Sequence, residues 1–297
     1  MNKSHYLRGV ICALTGGIAW GFSGACGQLL TGELNINPLY ITFLRLFFAG
    51  LILVFVSIIK NPKETAKLFK NKESVLRLIL FSIFGLLLSQ FSYLKAISYS
   101  NAATATVLQY IGPVMIMIFV CLKTRTLPTK KEATALISAF FGVYVLATHF
   151  DFSSLALSKE CLFWGLFAAL SLVFYSLLPI KLFKEYSTIT ITGWGMLIGS
   201  FLLMSIAKPW NSPDITLTSL LPILGMVLVG TVFAYTIYMQ GVSDIGAVRA
   251  SMIACIEPVS AALFSFFWLK TKFLMVDIWG FILILLAVFL LKKDENK

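Results

Sequence analysis

Long uninterrupted apolar runs dominate this chain and leave little choice of fold. A helix needs about 20 apolar residues to cross the hydrocarbon core of a bilayer, and ten runs have between 18 and 24. They cover residues 7–30, 38–59, 75–94, 102–122, 133–150, 161–182, 188–207, 217–239, 246–269 and 273–291. Because the runs are continuous rather than alternating, they favour helices over the strands of a membrane β-barrel. The sequence predicts an all-α membrane protein with ten transmembrane helices.

Charged residues are scarce and mostly basic. They make up 12% of the 297 residues, against about 25% in a typical soluble domain, so lipid is the expected solvent. Eighteen of the 24 Lys and Arg residues fall on one side of the predicted helices, five fall on the other, and Arg45 lies within the second run. The positive-inside rule then places both termini in the cytoplasm and explains the net charge without a nucleic-acid partner. We expect a multi-pass protein of the cell membrane, inner or plasma.

Two of the runs contain copies of one sequence. Residues 98–113 (SYSNAATATVLQYIGP) align without gaps with residues 243–258 (SDIGAVRASMIACIEP) when the chain is shifted by 145 positions. The match extends outside these windows, where Gly85 falls on Gly230. Similarity at a fixed shift indicates an internal repeat.

The repeat also predicts a topology. Its copies lie five helices apart, an odd number, so they would cross the membrane in opposite directions as an inverted repeat. We predict two five-helix repeats, at residues 1–150 and 151–297. A proline about midway along each copy, Pro113 or Pro258, breaks the helix and frees a carbonyl that lipid cannot satisfy. A structural kink alone is the alternative, but the pairing of the two breaks favours a cavity between the halves.

Polar and aromatic residues recur on one face of the helices around these prolines. In the fourth helix, Thr106, Gln109 and Tyr110 share a face with Pro113 by i, i+3 and i+4 spacing. For each such residue alone, packing between helices explains the pattern as well as a substrate contact does. As a set they predict a substrate-binding cavity lined by Trp20, Arg45, Gln90, Tyr93, Thr106, Gln109, Tyr110, Trp194, Tyr235, Tyr238, Ser251 and Glu257.

Arg45 and Glu257 stand out because a charge deep inside a membrane helix is costly and marks a functional site by default. Arg45 could bind a carboxylate or phosphate, or it could form a structural ion pair with Glu257. Glu257 could bind a proton, a cation or a substrate amine, because burial disfavours its charged form and a nearby cation favours it. One buried cation with one buried anion favours a zwitterionic substrate such as an amino acid, and makes a proton the candidate coupling ion.

The sequence has no recognisable catalytic constellation. The two histidines, His5 and His149, lie near helix ends, and no H-E-x-x-H, P-loop, G-x-G-x-x-G or G-x-S-x-G motif occurs. We therefore expect no enzymatic activity, no metal site, no cofactor and no ATP-driven pump. Small apolar filling is the expected role of the cysteines, which are Cys12, Cys26, Cys121, Cys161 and Cys255.

The residues that carry the repeat resemble the EamA branch of the drug/metabolite transporter superfamily. The matching stretches are ALTGGIAWG at 13–21, FLRLFFAG at 43–50, SNAATATVLQYIGPV at 100–114 and ASMIACIEPVSAALFSFFWL at 250–269. The resemblance covers essentially the whole chain as two tandem EamA repeats. It implies ten helices around a central cavity, alternating access, and export or exchange of small metabolites.

One motif of that family is absent. The family often has Leu-Gly-Glu at the ends of the fourth and ninth helices, where this chain reads CLKT at 121–124 and WLKT at 268–271. Roles of those glutamates therefore do not carry over. We expect a secondary transporter of a small metabolite, an amino acid or related compound among the candidates, with export favoured over uptake. The alternative is a membrane-embedded ligand-binding or scaffold protein without transport activity.

Overall fold

The part of the chain that the computed structural model describes is helical. It comprises residues 3–151, 156–211, 215–245, 250 and 253–291, and no β-strand occurs within it. By length and composition, eight of the described helices could cross a membrane: His5–Glu33, Pro38–Lys60, Lys72–Ser98, Ala102–Lys123, Lys130–Thr148, Lys159–Glu185, Thr188–Ala207 and Leu217–Ile245. Two shorter apolar helices follow at Ala254–Phe267 and Met275–Leu290. The all-α class is confirmed, and ten spanning helices stay a prediction.

Several of these spans consist of more than one helical segment. The α-helices are α1 (Lys3–Gln28), α2 (Pro38–Lys60), α3 (Pro62–Lys70), α4 (Lys72–Leu80), α5 (Leu88–Ser98), α6 (Ala102–Gln109), α7 (Gly112–Thr124), α8 (Lys130–Thr148), α9 (Lys159–Leu177), α10 (Ile180–Glu185), α11 (Thr188–Ala207), α12 (Leu217–Leu224), α13 (Ala234–Ile245), α14 (Glu257–Phe267) and α15 (Met275–Leu291). Wider π-helical turns occur at Leu29–Glu33, Phe81–Leu87 and Gly225–Phe233. Nothing in the sequence pattern predicts these turns.

Side chains in the loops fix where several helices begin. The carboxamide oxygen of Asn37 accepts a hydrogen bond from the N–H of Leu39, and Pro38 supplies a fixed φ at the first helical position of α2. Thr129 and Glu132 form a reciprocal capping box at the start of α8. These caps satisfy backbone donors that a helix end otherwise leaves unpaired.

The most extensive contacts pair α2 with α11, α8 with α15, α1 with α13, and α5 with α9. Helices α1 and α13 belong to the first and eighth predicted spans. The equivalent spans of the opposite halves are the sixth and the third, which contain α9 and α5. The same equivalence maps the α2–α11 and α8–α15 pairs onto themselves. Two repeats related by a twofold axis would pack in this way, so the helix pairing agrees with the predicted repeat.

Helix α3 is an amphipathic segment that the sequence analysis treated as part of a loop. Its Leu68 side chain is fully buried, whereas Lys63 and Lys67 are exposed. The Glu64 carboxylate accepts hydrogen bonds from the backbone N–H of Ser187 and from the hydroxyls of Ser187 and Thr190. These bonds join α3 to the N-terminus of α11 and bring the loops around residues 60–72 and 178–188 together at one end of the molecule.

Glycine lets α2 and α11 approach closely. A Cβ atom on Gly50 would lie 2.7 Å from the backbone nitrogen of Leu197, and one on Gly193 would lie 3.0 Å from that of Val54. Small residues at helix contacts allow this backbone approach in membrane proteins.

We predict that Gly50→Val destabilises the protein, because the added side chain must displace the α11 backbone. Overpacking of this kind costs about 1–3 kcal/mol of unfolding free energy, which thermal unfolding in detergent would register as a lower melting temperature. Gly32→Ala is the matched control, since no atom lies within 4 Å of a Cβ placed there. Equal melting temperatures for Gly50→Val and wild type would contradict the close α2–α11 contact.

Candidate functional site

A cavity of about 370 Å³ lies among helices from both halves of the chain. Nine of the twelve predicted site residues line it: Trp20, Arg45, Gln90, Tyr93, Gln109, Tyr110, Tyr235, Tyr238 and Glu257. The volume falls within the range of about 300–1,000 Å³ that is usual for small-molecule sites. The structure therefore brings most of the predicted set together in one place.

Two of the predicted site residues do not line the cavity, and a third is not among the described residues. Thr106 is fully buried behind the wall, where its hydroxyl lies 2.8 Å from the hydroxyl of Tyr93. Trp194 faces α3 instead, and its Nε1 donates to the Thr65 hydroxyl at 3.3 Å. Ser251 lies outside the described residues.

The remaining lining residues were absent from the predicted set, and most lie on α9, α10 and α11. They are Ser23, Ser89, Leu172, Tyr175, Ser176, Phe183, Thr188 and Met239. A signal for two of them existed in the sequence, because Ser23 follows Trp20 by three residues and so shares its helix face. Aligning Gly9 with Gly165 places Ser176 opposite Trp20, so the repeat pairs two positions that both line the cavity.

Arg45 reaches the cavity from α2 and bonds to the π-helical turn Gly225–Phe233. Its Nε donates to the Thr231 hydroxyl at 2.9 Å, and its Nη2 lies 3.5 Å from the carbonyl oxygen of Gly230. The residue is 8% exposed. A guanidinium group is planar and presents five N–H donors, which suits bidentate binding of a carboxylate or phosphate.

Glu257 enters the cavity from the ninth span at the start of α14. The Tyr110 hydroxyl lies 3.0 Å from Glu257 Oε2 and 3.3 Å from the carbonyl oxygen of Ala254. Ala254 is four residues before Pro258, which has no N–H to donate to its carbonyl. That carbonyl instead accepts a hydrogen bond from the Glu257 N–H in the short 3₁₀ turn Ala254–Ile256. Tyr110 therefore contacts both the buried carboxyl group and the backbone break.

The other predicted break has the same local form. Helix α6 ends at Gln109 and α7 begins at Gly112, with Pro113 at the second position of the new helix. Proline is tolerated there because an N–H in the first helical turn has no intrahelical partner. Both proline breaks thus lie beside residues that line the cavity.

Arg45 and Glu257 share the cavity without pairing directly. Among the described residues, the ion pairs within 4.0 Å do not include these two side chains. The hypothesis of a structural ion pair between them is therefore wrong for this conformation. Each charged group keeps hydrogen-bonding capacity for a further partner.

Aromatic rings form much of the wall between the two charges. Trp20 packs edge-on against Tyr235 with ring centroids 5.6 Å apart, and its centroid is 5.0 Å from that of Tyr238. The Tyr175 hydroxyl donates to the Tyr235 hydroxyl at 2.9 Å, which connects α9 to α13. Such rings present apolar faces and polar edges to a small ligand.

Two polar atoms of the wall have no hydrogen-bond partner among the described residues. They are Ser23 Oγ and Gln90 Oε1, whose residues are only 3% and 8% exposed. A buried polar atom without a partner is costly. Both atoms are therefore suited to a polar ligand in the cavity.

The cavity differs at its two ends. Ser176 and Phe183 are exposed and line it on the side of the loops around residues 60–72 and 178–188. At the opposite end, the Gln28 amide donates to the Thr271 hydroxyl at 2.7 Å. Its oxygen accepts from the Ala102 N–H and the Ser265 hydroxyl, each at 2.9 Å. One side chain thus joins α1, α6, α14 and the loop after α14.

The described residues contain no group of three His, Cys, Asp or Glu side chains that could hold a metal ion. The cavity instead offers one guanidinium, one carboxyl group, hydroxyls, amides and aromatic faces. This set can bind a small polar molecule with an anionic end.

Comparison with known proteins gives concordant matches to both halves. The EamA-like transporter family matches residues 7–148 and 159–292. A Salmonella typhimurium protein named as an uncharacterized inner membrane transporter, YicL, is 35% identical over 98% of this chain and 97% of its own. An uncharacterized transporter of Archaeoglobus fulgidus is 25% identical over 87% of this chain and 88% of its own. A solved crystal structure shares the fold with a TM-score of 0.59 at 15% identity, covering 98% of this chain and 96% of that one.

These matches extend over nearly the whole sequence, and the relatives are named as transporters. They fit the expectation that the protein is not an enzyme, and they confirm the resemblance inferred from the motifs. The chain therefore belongs to the EamA-like transporter family.

Proposed function

We propose that this protein is a secondary transporter that moves a small carboxylate-bearing metabolite across the cell membrane by alternating access. One observation carries the proposal. The cavity is lined by helices of both halves, contains Arg45 and Glu257 without pairing them, and is bordered by the exposed Ser176 and Phe183 at the end away from the Gln28 contacts. A site of this form can load beside Ser176 and release at the other end once the Gln28 contacts break.

The helix pairing supports the proposed mechanism. Two inverted five-helix repeats, at residues 1–150 and 151–297, would let one half rock against the other around a fixed site. The packing of α1 on α13 and of α5 on α9 provides two equivalent contacts for such a movement. In the alternating-access cycle, one contact would tighten as the other loosens.

The cavity chemistry supports a zwitterionic substrate. Arg45 would bind the carboxylate, and Glu257 would bind an amino group or exchange the coupling proton. Trp20, Tyr235 and Tyr238 would cover the apolar part of the molecule. An amino acid or a related compound has this combination of groups.

The charge distribution supports export. The accessible end lies on the side of the Lys-rich segment Pro62–Lys70, which the positive-inside rule assigns to the cytoplasm together with both termini. In this conformation, substrate would enter from the cytoplasm. Export would follow when the contacts of Gln28 at the other end break.

Flux in proteoliposomes tests the function directly. We expect purified protein to move at least one compound from a panel of amino acids and related zwitterions faster than protein-free liposomes do. Saturable binding of a panel member without any flux would favour the alternative of a membrane-embedded binding protein. If no panel member showed either binding or flux, the proposed substrate class would be wrong.

We predict that Arg45→Ala raises KM for an anionic or zwitterionic substrate. The variant loses a charged hydrogen-bond donor, an interaction worth about 1.5–3 kcal/mol, or roughly ten- to a hundredfold in affinity. Lys95→Ala is the matched control, because Lys95 stacks on Tyr99 and does not line the cavity. A lower melting temperature with unchanged KM would assign Arg45 a structural role instead.

We predict that Glu257→Gln weakens the pH dependence of flux, because the amide cannot exchange a proton yet keeps the size of the side chain. Flux measured over a pH series for wild type and variant checks this. Tyr110→Phe is the companion variant, since it removes the hydroxyl near Glu257 but leaves the carboxyl group. We expect it to retain pH dependence. An unchanged pH profile in Glu257→Gln would exclude a proton-coupling role for this residue.

A further inference from the structure

We propose that Thr231 is a positioning residue that holds the Arg45 side chain so that its guanidinium presents an anion-binding end to the cavity. The inference deepens the proposed function and rests on it, because Arg45 is taken there as the group that binds the substrate's anion. Thr231 does not line the cavity and is 0% exposed. Its effect on a substrate would therefore pass through Arg45.

The hydrogen bonds at Thr231 fix the direction of its oxygen. A hydroxyl has one hydrogen to donate and can accept on the same oxygen. Thr231 donates that hydrogen to the carbonyl of Met226 at 3.0 Å and accepts from Arg45 Nε at 2.9 Å. Among the described residues, no hydrogen bond engages Arg45 Nη1. Protein groups thus hold Nε and Nη2 of the guanidinium. Nη1 is available to a ligand.

The π-helical turn Gly225–Phe233 determines where this hydroxyl points. Thr231 bonds to a carbonyl five residues earlier, as the wider turn allows. Thr236, in the regular helix that follows, bonds to Val232, four residues earlier, at 2.7 Å. The same side chain in an ordinary helical turn would therefore hold its oxygen differently and lose the alignment with Arg45.

Gly230 provides the second fixed contact. Its carbonyl oxygen lies 3.5 Å from Arg45 Nη2, and a Cβ atom at this position would lie 2.2 Å from the Cβ of Ser23. Only glycine allows α1 to approach so closely. The backbone that faces Arg45 is consequently held between α1 and α2.

The internal repeat supplies independent support. Shifting by 145 positions places Leu86 opposite Thr231, and aligning Gly50 with Gly199 places Trp194 opposite Arg45. Leu86 packs against Gly195, the residue that follows this tryptophan, since a Cβ on Gly195 would lie 2.7 Å from Leu86 Cδ1. A leucine side chain has no hydrogen-bonding group, so the counterpart pair lacks the link that joins Arg45 to Thr231. Both Thr231 and Arg45 therefore differ from their counterparts in the other half, as expected if Thr231 positions Arg45.

Chemical modification of Arg45 tests the inference without any transport measurement. Purified protein is treated with phenylglyoxal, and mass spectrometry follows the modified fraction of Arg45 over time. We expect Thr231→Val to speed this modification at least about threefold, because the side chain loses its charged hydrogen bond. Thr231→Ser keeps the hydroxyl and should react at nearly the wild-type rate. If Thr231→Val does not fold, Thr231→Ala takes its place with the same expectation.

Thr236→Val is the matched control, since it removes a threonine hydroxyl that contacts no charged group. An unchanged Arg45 rate in Thr231→Val, or an equal change in Thr236→Val, would overturn the positioning role. So would a Thr231→Ser rate as fast as that of Thr231→Val.

A kinetic readout separates this inference from the proposed function. For any carboxylate-bearing panel member that wild type transports, we expect Thr231→Val to raise KM about tenfold, with a much smaller change in kcat. A fall in kcat at unchanged KM would contradict positioning of a substrate-binding group. If wild type shows no flux, the proposed function fails, whereas the phenylglyoxal rates still decide whether Thr231 holds Arg45.

Discussion

A buried guanidinium group with no carboxylate partner in the described part of the chain is the constraint on which the rest of this site depends. Burying an uncompensated charge is expensive, and protein groups must replace the water it loses. Thr231 and the Gly230 carbonyl supply two hydrogen bonds, and both belong to a turn that is wider than an ordinary helix. The cavity supplies the remaining polar surroundings. A ligand anion at Arg45 would complete this solvation, so occupancy and stability of the site are linked.

The opposite charge is organised around a backbone break. Pro258 cannot donate to the Ala254 carbonyl, which accepts from the Glu257 N–H in a short 3₁₀ turn instead. The Tyr110 hydroxyl lies within reach of that carbonyl and of the Glu257 carboxyl group. A change in the charge of Glu257 would alter which oxygen receives the tyrosine hydrogen. Tyr110 lies at the break between α6 and α7, so a change in its hydrogen bonding would alter contacts at both broken spans. Helix breaks and buried charges thus form one unit rather than two separate features.

Much of this arrangement follows from sequence periodicity, and the exceptions have physical causes. Apolar run length predicted the helical segments, and 3.6-residue spacing with the repeat placed nine site residues on the cavity wall. Trp194 was misplaced because α3 packs across it, and α3 has too few apolar residues to be distinguished from a loop. The π-helical turns have no signature in composition. Sequence position gives the depth of Arg45 and Glu257 along their helices but not the direction of their side chains. Whether the two charged groups pair could therefore not be predicted.

Alternating access requires that one cavity be reached in turn from both sides of the membrane. Cysteine accessibility measures this, with Ser89→Cys, a cavity-lining position, introduced into protein from which the native cysteines have been removed. A membrane-impermeant thiol reagent is then applied separately to each face of oriented vesicles. We expect labelling from both faces, faster from the face with the Lys-rich loops. Labelling from that face alone, under every substrate and pH condition, would contradict alternating access through this cavity.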